Sequence, residues 1–200
     1  DENAQLARAA TKLPPQVESA LKRFASQYPQ MASYDATTGA VKFASDLTFK
    51  LGSADLSPAA QQAVAALAKI FNGSAAAKYE VRIVGHTDSV PISREATRAK
   101  HPTNWHLSVH RAISVRDALS AAGIADVRTS VAGYSKYRPM VQNAQRGAEP
   151  NRRVEIFLVP MAPVNEALLT PAGAGGGGNN ATPRGVGPAP SDEGAGALFK

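Results

Sequence analysis

Three short stretches carry the side chains best suited to grip a small charged ligand. The first is Gly85-His86-Thr87-Asp88, at the end of an alternating segment. Glycine there permits a sharp turn and presents Asp88 in a loop instead of in a sheet. The second is Asn104-Trp105-His106-Leu107-Ser108-Val109-His110-Arg111-Ala112, a helical stretch that sets Arg111 one turn after Leu107, near the helix start and beside that loop. This spacing lets a carboxylate and a guanidinium face one pocket. The third is Asn151-Arg152-Arg153-Val154-Glu155-Ile156, which leads into a strand. Strand periodicity sends Arg152 and Arg153 to opposite faces, so at most one of them joins a shared site. Taken singly, each stretch has a plainer explanation. Asp88 is then a turn cap, Arg111 one half of an exposed salt bridge, and the arginine pair solvated edge-strand charge.

Other chemistries fit less well. With no cysteine in 200 residues there is no disulfide frame, no thiolate metal site and no thiol nucleophile. His106 and His110 lie four apart, and with His86 on the neighbouring loop they form the one alternative metal trio; the zincin pattern fails because Leu107 stands where its general base belongs. No G-x-S-x-G elbow occurs. Neither catalysis, nor a metal, nor a cofactor is expected. The net charge of +6 suits an anionic partner, and because 161–200 hold two basic and three acidic residues, the first 160 carry +7. Nucleic acid is not that partner: Trp105 is the single tryptophan, no aromatic pair of the RNA-binding type appears, and the basic residues are dispersed.

The elements that position these residues follow from periodicity. Apolar residues at 44% and charged ones at 19% suffice for one globular domain with chain to spare. Val17, Leu21 and Phe24 mark a helical face after Pro14-Pro15, so 1–33 reads as a helical lead-in. Ala40–Phe49 is β-rich with Asp46 interrupting it. Ser57-Pro58 then caps a helix running to about Phe71. Tyr79–Val84 alternates as a strand, Asn104 caps a helix to about Ala122 that Gly123 stops, and Val127–Ala132 and Val154–Val159 read as the last strands. The sum is an α/β sandwich, α+β in class: one four-stranded sheet with helices packed on one face, over 34–160. Nine glycines and four prolines in 171–200 mark 161–200 as a Gly/Pro-rich disordered tail. No stretch reaches the 18 or so apolar residues of a membrane span. Beginning at Asp1 and not at Met, the chain reads as a mature form or an excised fragment, which leaves room for a signal, lipid anchor or membrane helix upstream.

In this order the motifs resemble the OmpA/MotB family of peptidoglycan-binding domains. The matching residues are Leu-Gly-Ser-Ala-Asp-Leu-Ser at 51–57, Gly-His-Thr-Asp at 85–88, Asn104 with Leu107-Ser108 and Arg111-Ala112, Gly133-Tyr134, and the 151–156 stretch. Each is weak alone; five in one order are specific, and they cover roughly Val41–Val159. Val90-Pro91-Ile92, the long insertion after it, and Asn104-Trp105 look more like the MotB branch than the short-loop lipoproteins. The resemblance implies a mixed sheet in β-α-β-α-β-β order and non-enzymatic binding of peptidoglycan in the periplasm or cell envelope. It also implies a ligand, the meso-diaminopimelate of the stem peptide, whose end carries an ammonium and a carboxylate on one carbon. Asp88 would accept from the ammonium and Arg111 fork onto the carboxylate. Asn104 and Arg152 match further contacting positions, while Phe49 and Lys50 sit where the first loop offers backbone groups. Lys50 replaces the Asp of many relatives. Two or three charge-assisted bonds of roughly 1.5–3 kcal/mol each, offset by ordering costs, imply modest affinity per stem. The implied role is to anchor an envelope protein or complex to the wall, with a homodimer and a membrane-anchored partner as in MotB-like proteins. A fragment of a flagellar-type stator subunit is the alternative.

Overall fold

In the computed structural model, residues 13–50 and 52–162 and Leu169 are described. All the elements below belong to one compact unit that ends at Val164. The tail expected over 161–200 lies outside the described residues apart from Met161, Ala162 and Leu169.

Helix α1 (Pro15–Gln27) starts at the Pro14-Pro15 break, where the ring at the first helical position removes an N–H that no turn would satisfy. Its face of Val17, Leu21 and Phe24 is buried in the same core as the sheet. Strands β1 (Ala32–Asp35) and β2 (Ala40–Ala44) form an antiparallel hairpin, followed by the single-turn helix α2 (Ser45–Thr48). Helix α3 (Pro58–Phe71) opens with Ser57 Oγ accepting the Ala60 N–H at 3.2 Å. Strand β3 (Tyr79–His86), short helix α4 (Glu95–Lys100), long helix α5 (Asn104–Ala121), strand β4 (Thr129–Gly133) and strand β5 (Arg153–Pro160) complete the unit.

The sheet is mixed, with order β1-β2-β5-β3-β4. Only β3 and β4 are parallel, joined through α5. It therefore has five strands and not the expected four. The additional strand is β1, which straddles the boundary placed between the helical lead-in of 1–33 and the domain of 34–160. Its hairpin is closed by local chemistry: Asp35 Oδ1 accepts the Thr37 and Thr38 N–H groups, and Gly39 takes φ 70, the left-handed region where glycine is unstrained. Four residues give too short an alternation to register as a strand.

Alternation divides the sheet into two faces. Val41, Phe43, Val81, Ile83, Val154 and Ile156 pack with the apolar stripes of α1, α3 and α5. Val84 and Phe157 belong to a small second cluster on the other face. The helices thus cover one face, as the residue pattern implied. Gly85 has a different role from the expected turn. It lies within β3, paired with Gly133 of β4 and Val154 of β5, and a methyl on it would collide with the Ser108 carbonyl. At Gly133 a Cβ would sit 2.9 Å from the Val109 nitrogen. These two glycines let the backbone of α5 lie directly on the sheet, which fixes where the start of α5 points. No helix among the described residues is long and apolar enough to cross a membrane.

Candidate functional site

Where β3 ends and α5 begins, a pocket of about 260 Å³ opens among the loops. Asp88, Asn104, Arg111 and Arg152 all line it. Four of the six residues singled out from sequence therefore meet, from three separate elements.

Asp88 follows β3 and is buried. Its Oδ1 accepts the Val90 N–H at 3.1 Å. Its Oδ2 accepts the Ala148 N–H at 3.2 Å and Arg152 Nη1 at 2.6 Å. The carboxylate's direct ionic partner is thus Arg152, not Arg111. Gly147, at φ 98, allows this approach, since a Cβ there would lie 2.9 Å from Oδ2. Arg152 also forks onto Asp46 of α2, through Nε at 2.9 Å and through Nη2. The bond to Asp46, with further help from Asp88, raises the Arg152 pKa. The same bond holds the Asp46 carboxyl below its ordinary value.

Arg111 is 7% exposed on the buried side of α5. Its Nε donates to the Ser53 carbonyl at 3.2 Å, and its guanidinium lies 5.0 Å from the centre of the Phe49 ring. Burial pulls its pKa down to about 10, with Asp46 opposing and Arg152 adding to the fall. It remains charged near neutrality. Among the described residues its terminal nitrogens carry no hydrogen bond, so they face the pocket with donors to spare.

Asn104 was expected to cap α5, but the cap position is Thr103 and Asn104 is the first helical residue. Its side-chain amide donates to the carbonyls of Val90 (3.0 Å) and Asp88 (3.3 Å), tying the loop to the helix start. Phe49 supplies the ring beneath Arg111, while its N–H is used by the Ser45 carbonyl. Lys50 is not brought here. Its side chain lines a separate cleft with Asp55 and Gln61, and its N–H bonds to the Asp55 carbonyl at 3.0 Å. Asp46, Arg94 and Arg146 complete the charged surroundings, the two arginines lining the pocket itself. Only Asp46 left a trace in the sequence, as the charge interrupting a β-rich run. Arg94 and Arg146 sit in loops, where spacing encodes no direction.

The three histidines of the metal alternative are separated. His86 lies on the uncovered face of the sheet, stacked on Tyr134 and 3.4 Å from Glu155. His106 and His110 are on α5, where His110 Nδ1 meets His101 Nδ1 at 2.7 Å. Among the described residues no group of three His, Cys, Asp or Glu is arranged to hold a metal ion.

The sequence profile of the OmpA family matches residues 48–153, more than half of the chain and all four of the converging residues. The chain belongs to the OmpA family. Motility protein B of Bacillus subtilis (strain 168) is 38% identical over 80 residues, 39% of this chain and 29% of that protein. The probable lipoprotein YiaD of Escherichia coli (strain K12) is 32% identical over 117 residues, 58% of this chain and 49% of the other. This OmpA-family chain thus spans about half the length, or less, of the curated relatives it matches. Among solved structures, a MotB-like protein from Desulfovibrio vulgaris shares the fold, with TM-score 0.63 and 23% identity over 80% of this chain and 99% of that one. The cell wall anchor of the T6SS from Pseudomonas aeruginosa matches with TM-score 0.60 and 29% identity over 70% of this chain and 96% of its own.

Proposed function

We propose that this OmpA-family domain binds the peptide stem of peptidoglycan in the pocket between Asp88 and Arg111, and so holds an envelope protein to the cell wall. The observation that carries this reading is a buried arginine with unspent donors on one side of a small pocket and a buried carboxylate on the other. A ligand with a carboxylate and an ammonium on one carbon complements both. Its carboxylate would accept a fork from Arg111, and its ammonium would donate to Asp88 Oδ1, which among the described residues holds only the Val90 N–H. The diaminopimelate end of a stem peptide has this pattern. Arg152 holds Asp88 in place, and Asn104 fixes the loop that carries it. With Arg94 and Arg146 also on the rim, the lining holds four arginines against one aspartate, which favours stems with further carboxylates. A structural relative that is itself a cell wall anchor supports the same assignment, which would place the domain in the periplasm or cell envelope.

The reading is one of binding without catalysis. Each charge-assisted bond contributes roughly 1.5–3 kcal/mol before ordering costs, so single stems bind modestly and a wall offering many stems retains the protein by multivalency. Co-sedimentation of the full chain with diaminopimelate-type peptidoglycan tests this. Wild type should pellet at moderate salt, and Asp88→Asn and Arg111→Met should stay in the supernatant with their fold intact by circular dichroism. Equal pelleting of all three would leave only bulk charge attraction and end the proposal.

A further inference from the structure

On the far side of the wall made by Pro91, Ile92 and Asn104 lies a second cleft of about 330 Å³, sharing those three residues with the stem pocket. Its outer end is an aromatic platform. Trp105 stacks on Tyr137 with ring centres 5.5 Å apart and planes 27° from parallel. The two residues are 47% and 55% exposed, although large aromatic rings are strong candidates for burial.

The platform is fixed in place from both sides. Trp105 is the second residue of α5, directly after the Asn104 whose amide ties down the Asp88 loop. Tyr137 ends a turn in which its N–H donates to the Tyr134 carbonyl. Within that turn Ser135 adopts φ 51, a left-handed conformation uncommon for a residue with a side chain. Ser135 is locked there, its N–H donating to Ser108 Oγ of α5 and its carbonyl accepting the Thr87 N–H. Both rings are therefore held in register with Asp88 and Asn104. Ser89, Thr103 and Lys136 give the cleft a polar rim, with Lys136 Nζ 5.7 Å from the Tyr137 ring centre.

We infer that Trp105 and Tyr137 form a saccharide subsite for the N-acetylated amino sugar to which the stem peptide is attached. The inference rests on the stem-pocket reading and extends it to the glycan. A pyranose ring has an apolar C–H face and a hydroxyl- and amide-bearing edge, which match a flat aromatic surface with a polar rim. A stem seated in the first pocket carries its sugar on a short covalent tether, and the shared wall puts the platform within the ligand's own reach. Binding both parts at once gains affinity without a second encounter.

Calorimetry on the full chain with two ligands tests this: the free stem peptide, and the same stem on its disaccharide. Wild type should bind the disaccharide form about 3- to 10-fold more tightly, the range that aromatic stacking supports. Trp105→Ala and Tyr137→Ala should erase that preference and keep the affinity for the free stem. Trp105 is the only tryptophan, so its fluorescence should change with the disaccharide form and not with the free stem. Equal wild-type affinity for both ligands, or equal losses for both in the variants, would overturn the subsite while leaving the stem pocket standing. If wild type binds neither, the stem-pocket reading falls. An N-acetylglucosamine oligomer alone then decides for the platform, a fluorescence change keeping it and none ending it.

Discussion

Arg152 and Arg153 are neighbours in sequence with opposite lives in the fold. Arg152 turns to the loop side, where it bonds Asp46 and Asp88, two carboxylates 106 and 64 residues away in the chain. Arg153 turns to the uncovered face of the sheet, where it bonds Glu155 on its own strand at 2.8 Å and the Arg138 carbonyl at 3.1 Å. The cleft around Arg153, about 360 Å³ and lined also by His86, Lys42, Arg138 and Glu155, holds four charged side chains against five in the Asp88 and Arg111 pocket. Most of its ionic contacts are local: Arg153 lies on Glu155, Lys42 on Asp35 at 2.8 Å and His86 3.4 Å from Glu155, while Arg138 bonds the Tyr137 carbonyl and lies over the Tyr134 ring. In the Asp88 and Arg111 pocket, by contrast, residues from several loops converge and, among the described residues, the terminal nitrogens of Arg111 carry no hydrogen bond. What separates the two regions is not charge but the distance in sequence between the residues that converge on the Asp88 and Arg111 pocket.

Four changes probe that contrast, beginning with the largest effect. Gly85→Ala forces the α5 backbone off the sheet, and with no room at the Ser108 carbonyl the cost should reach about 4 kcal/mol or more, seen as loss of cooperative melting. That single change should disable both regions. Next, Arg111→Met keeps the apolar stem over Phe49 and removes only the head. It should lower stem-peptide affinity roughly 10- to 100-fold with melting within about 1 kcal/mol of wild type. The mirror change, Arg153→Ala, leaves the nearly buried Glu155 short of its partner and should cost about 2–3 kcal/mol of stability in denaturant titration with stem affinity unchanged.

The smallest effect is in pH. Burial holds His86 below its ordinary 6.5, with Glu155 opposing. Burial alone would raise Glu155, but His86 and Arg153 outweigh it and hold the carboxyl down to about 2. Both groups bind fewer protons folded than unfolded. Stability should therefore be full above about pH 6.5 and fall as the pH drops, first through the histidine and then between about 4.5 and 2 through the glutamate. Glu155→Gln should flatten the lower part of that curve in thermal melts across pH and leave the retained fraction of bound stem as in wild type.

Much of this was readable from residue pattern alone. The stripe of Val64, Leu67 and Phe71, the alternation of Tyr79–Val84, and the split of Arg152 from Arg153 follow from periods of 3.6 and 2 that burial enforces. β1 escaped because four residues cannot display a period, although Asp35 and Gly39 already spelled its turn. Gly85 was legible as a required glycine but not as a packing one, since a turn and a close helix approach ask for the same missing Cβ. The partner of Asp88 was not legible. Which of two arginines reaches it depends on how α2, α5 and the 140s loop are placed, and that is decided by the core beneath them. Asp46 entered the site by the same route.

In the proposed function one pocket reads two opposite charges on a single carbon. Calorimetric titration of the full chain with a stem peptide ending in diaminopimelate, against the same peptide with that terminal amine acetylated, addresses it most directly. Acetylation keeps the carboxylate for Arg111 and removes the ammonium for Asp88, so affinity should fall about 10-fold or more, and the Asp88→Asn variant should not distinguish the two peptides. Equal affinity of wild type for both peptides would contradict the account.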